Sequence, residues 1–116
     1  MTSTIRLAQP DDARQMLAIY APFILNNAVS FELDVPATAE FESRITHTLT
    51  WFPWLVCESS GAVIGYSYAS NHATRGAYNW SVDVSLYVAE EYRRQGIGRA
   101  LYTSLIACLR LQGYFN

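Results

Sequence analysis

Apolar residues recur along the chain with two periods, and each change of period marks an element. Residues 4–8 read as a short strand with Ile5 and Leu7 on one face. Pro10-Asp11-Asp12 then opens a helix, because acidic side chains suit the positive end of the helix dipole. Ala13, Met16, Leu17 and Tyr20 follow at helical spacing and predict one buried stripe, which Pro22 ends or kinks near Ala21. Residues 23–27 resume a helical turn, and Val29-Ser30-Phe31-Glu32 looks extended. After Pro36, Thr38 caps a second helix striped by Phe41, Ile45 and Leu49, which Trp51-Phe52-Pro53 breaks. Residues 54–58 and 62–69 form a hairpin around Ser59-Ser60-Gly61. Residues 70–79 are polar and read as a loop. From Trp80 to Val88 the pattern alternates: Trp80, Val82, Val84, Leu86 and Val88 against Ser81, Asp83, Ser85 and Tyr87. That predicts a strand with one apolar and one polar face. Residues 89–96 form a charged loop. From about Gly98, Leu101, Leu105, Ile106 and Leu109 stripe a last helix, which Gly113 can end.

Length and composition narrow the class. At 116 residues the chain holds one domain, residues 1–116. With 51% apolar and 16% charged residues it can bury a core. A net charge of −2 argues against a nucleic-acid surface, although Arg93, Arg94 and Arg99 form a local basic cluster. No apolar run approaches the roughly 20 residues of a membrane span. Met1-Thr2-Ser3-Thr4-Ile5-Arg6 has no signal-like apolar core, which points away from secretion. Cys57 and Cys108 lack metal-type spacing and read as free core thiols. The expectation is a cytoplasmic α/β domain without a metal.

The chemistry concentrates between Val88 and Leu101, where the order is strand, basic loop, two glycines, helix. Glycine lets a backbone approach a ligand closely, and a helix start offers free amides and a positive partial charge. Arg93, Arg94 and Arg99 add full charges, so phosphate oxygens fit this seat. No Gly-Lys-Ser/Thr follows, which excludes a Walker loop. The glycine spacing also differs from the dinucleotide fingerprint.

Arg93-x-x-Gly96-x-Gly98 resembles the Gln/Arg-x-x-Gly-x-Gly/Ala signature of the GCN5-related N-acetyltransferases (GNAT). Ala77-Tyr78-Asn79-Trp80, Leu86-Tyr87-Val88 and Leu101-Tyr102-Thr103 resemble the phosphinothricin and methionine sulfoximine/sulfone acetyltransferase branch. So do Trp54-Leu55-Val56 and residues 20–31, and the likeness covers essentially the whole chain. The resemblance implies the GNAT acyl-CoA N-acyltransferase fold, an α/β (α+β) mixed sheet, and a homodimer. It implies acetyl-CoA as donor and the primary amine of a small amino acid analogue as acceptor. The pantetheine arm would pair with the backbone of Leu86, Tyr87 and Val88. The pyrophosphate would sit on the loop of Arg93, Arg94, Gln95, Gly96, Ile97, Gly98 and Arg99.

Asp83 is the candidate base. An ammonium must lose a proton before it attacks a thioester, and a carboxylate takes that proton directly or through a water. The branch carries Glu at this position, and the shorter Asp83 favours the bridging water. A purely structural carboxylate is the alternative. In the resembling branch the loop holding Arg75, Gly76, Ala77 and Tyr78 grips the acceptor's carboxylate and its tetrahedral head, and Phe31 lines the pocket. Arginine binds such anions bidentately, while a merely solvated loop arginine is the alternative. His72, near that loop, could contact the acceptor, with a merely exposed loop histidine as the alternative, and His47 in the second helix receives no role. Tyr87 and Tyr102 are read as packing residues, and Trp51, Phe52 and Trp54 as closing the core. The family fold continues beyond the signature helix, whereas this chain stops at Gly113-Tyr114-Phe115-Asn116. It is therefore expected to be truncated there. Two other readings stand beside the small-molecule acetyltransferase: a non-catalytic CoA-binding or dimerisation fragment, and an acetyltransferase for peptide N-termini.

Overall fold

The computed structural model describes residues 3–26, 37–71 and 82–112. Within them the order is β1 (Ser3–Leu7), a 3-10 turn (Pro10–Asp12), α1 (Ala13–Asn26), α2 (Thr38–Trp51), β2 (Trp54–Ser59), β3 (Ala62–Asn71), β4 (Val82–Val88), a second 3-10 turn (Glu90–Tyr92) and α3 (Ile97–Leu111). The strands form one sheet in the order β1-β2-β3-β4, antiparallel at every described pairing. Helices α1 and α2 cover one face and α3 covers the other, an α/β sandwich of three layers.

Double coverage explains β2. Trp54 and Val56 point into the core under α1 and α2, and Leu55 and Cys57 into the core under α3. All four are buried in succession, as a strand covered on both faces requires. The first core is aromatic: Trp54 stacks on Tyr68 with centroids 4.1 Å apart and meets Phe41 edge-on at 5.7 Å. Each such pair adds about 0.5–1.5 kcal/mol beyond area burial. The second core rests on Leu101, Leu105 and Leu109, all at 0% exposure, so the whole buried stripe of α3 faces the sheet. Each contributes about 1.5–3 kcal/mol.

The β2–β3 hairpin turns through Ser60 (φ 52°) and Gly61 (φ 82°). Two successive left-handed residues match the twist of the flanking strands. Beyond the turn the register shifts: Glu58 pairs Val63 while Cys57 pairs Gly65, leaving Ile64 as an extra residue in β3. Ile64 joins the α3-side core, and Gly65 faces the same helix. A Cβ at Gly65 would lie 3.2 Å from Leu101 Cδ1 and from the Tyr87 carbonyl oxygen. Two successive residues on one face leave no room for two side chains, so the second is glycine.

Arg6 anchors the start of α1. Its guanidinium donates to both Asp12 oxygens at 2.9 Å and to Glu58 Oε2 at 3.2 Å, and the Gln9 N–H donates to Asp12 Oδ2 at 2.8 Å. Burial alone would push the Asp12 carboxyl up. The Arg6 fork and then the Gln9 N–H outweigh it and hold the group below its ordinary value.

Several expectations are corrected. Of the two outcomes expected at Pro22, an end near Ala21 does not occur: helix α1 runs through Pro22 to Asn26, which includes the helical turn expected after Pro22. Pro22 and Ala18 are both exposed, so this turn of the helix lies on the water side, where a carbonyl left without its N–H partner costs least. Thr38 is the first helical residue and Ala37 the cap. Pro10–Asp12 form a 3-10 turn that runs into α1. Trp51 is 61% exposed and does not close the core, and Tyr102 is 50% exposed and does not pack. The second face of β4 is not wholly polar, because Tyr87 meets Tyr20 at 5.1 Å and Tyr66 at 5.3 Å beneath α1. Helix α3 starts one residue early, at Ile97. No helix among the described residues is long and apolar enough to cross a membrane.

Candidate functional site

The register of β4 decides which of its backbone groups are free. Gly65 pairs Val88, and the Ala89 N–H donates to the Ile64 carbonyl at 2.9 Å. In an antiparallel ladder this makes Gly65–Val88 a non-hydrogen-bonded pair. Tyr87 and Ser85 therefore turn their N–H and C=O toward Tyr66 and Tyr68, while Val84, Leu86 and Val88 turn theirs outward. Among the described residues no strand takes the outward side. Of the three residues expected to hold an extended arm, Leu86 and Val88 offer backbone groups there, and Tyr87 spends its own on β3.

Beyond β4 the chain tightens into a loop with an unusual conformation. The Tyr92 N–H bonds the Ala89 carbonyl at 2.9 Å and the Arg93 N–H the Glu90 carbonyl at 3.3 Å, closing the 3-10 turn. The Gln95 amide donates to the Glu91 carbonyl at 3.4 Å. Arg94 (φ 66°) and Gly96 (φ 81°) are both left-handed, with Gln95 between them on the ordinary side. Alternation of handedness turns successive N–H groups toward one point, a concavity suited to anions. The first α3 bond is Ala100 N–H to the Gly96 carbonyl at 3.0 Å, so the Ile97, Gly98 and Arg99 amides have no intrahelical partner. A Cβ at Gly96 would meet no atom within 4 Å, apart from its chain neighbours, so that side of the loop is open. Arg93, Arg94 and Arg99 are exposed around it. These are the components that phosphate oxygens need, and the residues fit a pyrophosphate.

Gly98 has a different task. Its Cβ position lies 3.3 Å from Leu86 Cδ2 and 3.8 Å from Val88 Cγ2, so glycine lets the first turn of α3 settle against the end of β4. Beside the loop, on the α1 side, a cleft of about 440 Å³ opens, lined among others by Gln15, Ile19, Pro22, Val88, Glu90 and Arg93.

The structure brings Leu86, Val88 and residues 93–99 together. Asp83 stands opposite Ser70 near the other end of β4, five residues from Val88 and so about 17 Å away along the strand. Phe31, His72, Arg75, Gly76, Ala77 and Tyr78 lie outside the described residues. Among the described residues no group of three His, Cys, Asp or Glu side chains could hold a metal ion. Sequence reasoning missed the left-handed Arg94, which no residue type announces, and the bulge at Ile64. A glycine inside an apolar strand pattern is a signal that could have found the bulge.

The acetyltransferase (GNAT) domain profile matches residues 5–116. The phosphinothricin N-acetyltransferase of Alcaligenes faecalis is 36% identical over 105 residues, 90% of this chain and 53% of that protein. The L-methionine sulfoximine/L-methionine sulfone acetyltransferase of Salmonella typhimurium is 28% identical over 107 residues, 89% of this chain and 61% of that protein. A solved phosphinothricin acetyltransferase from Sinorhizobium meliloti, in complex with acetyl-CoA, superposes with a TM-score of 0.82. It is 38% identical over 92% of this chain and 59% of its own. The chain thus spans between half and two thirds of the length of these relatives.

Proposed function

The chain belongs to the GNAT acetyltransferase family, and from that premise we propose that it serves acetyl transfer from acetyl-CoA to the primary amine of a small amino acid analogue. Phosphinothricin, methionine sulfoximine and methionine sulfone form the acceptor class, by likeness to relatives that carry those names. The observation that carries the donor half is the run of outward backbone groups on β4 leading into the left-handed loop before α3. An elongated donor with a diphosphate at one end fits that track. Its pyrophosphate rests on the amides of residues 94–99 with Arg93, Arg94 and Arg99 around it. Its pantetheine arm lies along Leu86 and Val88 and brings the thioester toward the Asp83 end.

When bound, the donor supplies an acyl carbon activated by sulfur. The chain's part is to hold that carbon beside the amine and to manage one proton. Asp83 takes the ammonium proton, directly or through a water, and the free amine bonds to the acyl carbon as the carbon–sulfur bond breaks. The acylated nitrogen then loses its second proton, which balances the one that the departing thiolate takes up from water, and Asp83 or the water it holds keeps the net proton. Arg75 pairs with the acceptor's carboxylate, and Phe31, Gly76, Ala77 and Tyr78 complete the acceptor pocket. The site is that of a cytoplasmic enzyme in this reading.

Incubating the chain with acetyl-CoA and each of the three acceptors, while following release of free thiol, tests the proposal. Acceptor-dependent thiol release is expected. CoA binding without release would instead identify a CoA-binding module, and release with a peptide amine but none of the three would move the acceptor class.

A further inference from the structure

The cleft of about 440 Å³ opens between the face of α1 that carries Gln15 and Ile19 and the turn that carries Glu90, Glu91 and Arg93. Helix α1 is fixed on its own side of that cleft. Arg6 holds Asp12 at its start, and Met16 and Ile19 are buried in the core. At the edge of the cleft a hydrogen bond joins α1 to β3: the Val63 N–H donates to Gln15 Oε1 at 2.9 Å. Because the donor is a backbone N–H, the carboxamide must present its oxygen there. Gln15 itself is exposed and fills no part of the core.

The bond falls at a sensitive place. Val63 directly precedes the extra residue of β3. Glu58 faces Val63 and Cys57 faces Gly65, so Ile64 has no partner in β2 and the ladder is locally interrupted. The Ile64 carbonyl still accepts from the Ala89 N–H at 2.9 Å, and the Ala89 carbonyl accepts from the Tyr92 N–H at 2.9 Å. Backbone contacts thus run in single file from α1 through Val63, Ile64, Ala89 and Tyr92 to the left-handed Arg94.

We infer that Gln15 is a positioning residue for the donor's diphosphate, an inference that rests on the function proposed above. It acts through Val63 and Ile64 and not on the donor itself. With Val63 held, the Ile64 carbonyl keeps one direction, and the turn built on Ala89 aims the amides of residues 94–99 at one point. With Val63 released, the peptide planes around the unpaired Ile64 are free to rotate, and Ala89 follows. The loop then divides its time among several directions, and apparent affinity falls by the fraction spent in the competent one.

Gln15→Met keeps the reach of the side chain and removes the oxygen. Hydrogen exchange should show the Ala89 and Tyr92 amides losing protection, while Ser85 and Tyr87, inside the β3–β4 ladder, keep theirs. Calorimetry should show CoA bound about fivefold more weakly, as for a loop competent about a fifth of the time. Gln15→Glu returns an oxygen at the same reach and should restore the protection of Ala89 and Tyr92. It is read by exchange alone, because its charge also acts on an anionic ligand. Three results overturn the inference: unchanged exchange at Ala89 and Tyr92 in Gln15→Met, a loss spread evenly over Ser85 and Tyr87, or no restoration by Gln15→Glu. Loosened Ala89 and Tyr92 amides with unchanged CoA affinity would confine Gln15 to a structural part and overturn its positioning role. A wild-type chain that binds no CoA overturns the functional reading instead, and the exchange pattern of the two variants then decides by itself whether Gln15 holds the loop.

Discussion

Replacing Gly96 by alanine isolates backbone conformation from bulk. The residue sits at φ 81°, and a Cβ there has nothing within 4 Å. No clash within the protein is available, so whatever alanine does to stability it does through the dihedral. The left-handed region costs a non-glycine residue about 1–2 kcal/mol, and alanine's stiffer unfolded chain returns about 0.4–1 kcal/mol. A net loss of about 1 kcal/mol lowers Tm by about 4 °C in a domain of this size. If the chain instead relieves the strain by rotating Gly96 to negative φ, the Ile97 amide swings out of the concavity. CoA affinity should then fall about tenfold, which is about 1.4 kcal/mol. Thermal melts and calorimetric titration with CoA read the two effects separately. Asparagine tolerates the left-handed region far better than alanine, so Gly96→Asn should recover much of both losses despite its larger side chain. A steric site would rank the two variants the other way. Gly96→Ala with wild-type Tm and unchanged CoA affinity, or Gly96→Asn worse than Gly96→Ala, would refute the argument.

Gly65→Ala should fail by crowding, since its Cβ would press on the Tyr87 carbonyl oxygen, a backbone atom, at 3.2 Å. A loss of about 1–3 kcal/mol is expected, read as a lower urea midpoint with an unchanged slope. The Asp12 carboxyl titrates lower folded than unfolded, so its stabilisation is complete above the unfolded range, about pH 3.9, and disappears as pH falls through the folded value. Arg6→Ala leaves only the Gln9 N–H against burial and should weaken or reverse that slope in melts across acid pH, and an unaltered slope would exclude the pair as its source. Arg75→Ala should raise KM for a carboxylate-bearing acceptor by the equivalent of about 1.5–3 kcal/mol and leave KM for acetyl-CoA alone, whereas equal effects on both would remove Arg75 from the acceptor site. Asp83→Asn should slow turnover at neutral pH and recover at higher pH, where more amine is already neutral; a loss independent of pH would assign the carboxylate a structural role.

Much of the fold is legible because period encodes burial. Ala13, Met16, Leu17 and Tyr20 all prove buried, and so do Leu101, Leu105 and Leu109. Pro22 does not end its helix because the turn it interrupts, with Ala18, is exposed, where a lost backbone bond costs least. Tyr87 was legible as a packing residue. The aromatic layer that receives it was not, since it is assembled from Tyr20, Tyr66 and Tyr87 on three separate elements. The site was half legible. Gly96, Gly98 and their arginines marked the loop, but the parity that frees Leu86 and Val88 while occupying Tyr87 depends on pairing with β3. No local pattern carries that information.

The extra residue in β3 has a consequence for how this chain tolerates changes of length. Glu58–Val63 and Cys57–Gly65 keep the phase of the sheet on either side of Ile64. Loss of Ile64 alone would leave Tyr66 and Tyr68 under α1 and α2. Loss of a residue farther along β3 would transpose the remainder of the strand to the opposite layer. Ile64, with Gly65 beside it, is thus a position where β3 can absorb a deletion without changing phase. Its carbonyl, however, is also the acceptor that holds Ala89 as the chain leaves β4. A deletion there would keep the phase of the sheet but would take one buried side chain from the α3-side core and be felt at the loop before α3, so the length of one strand sets the aim of a loop on the next.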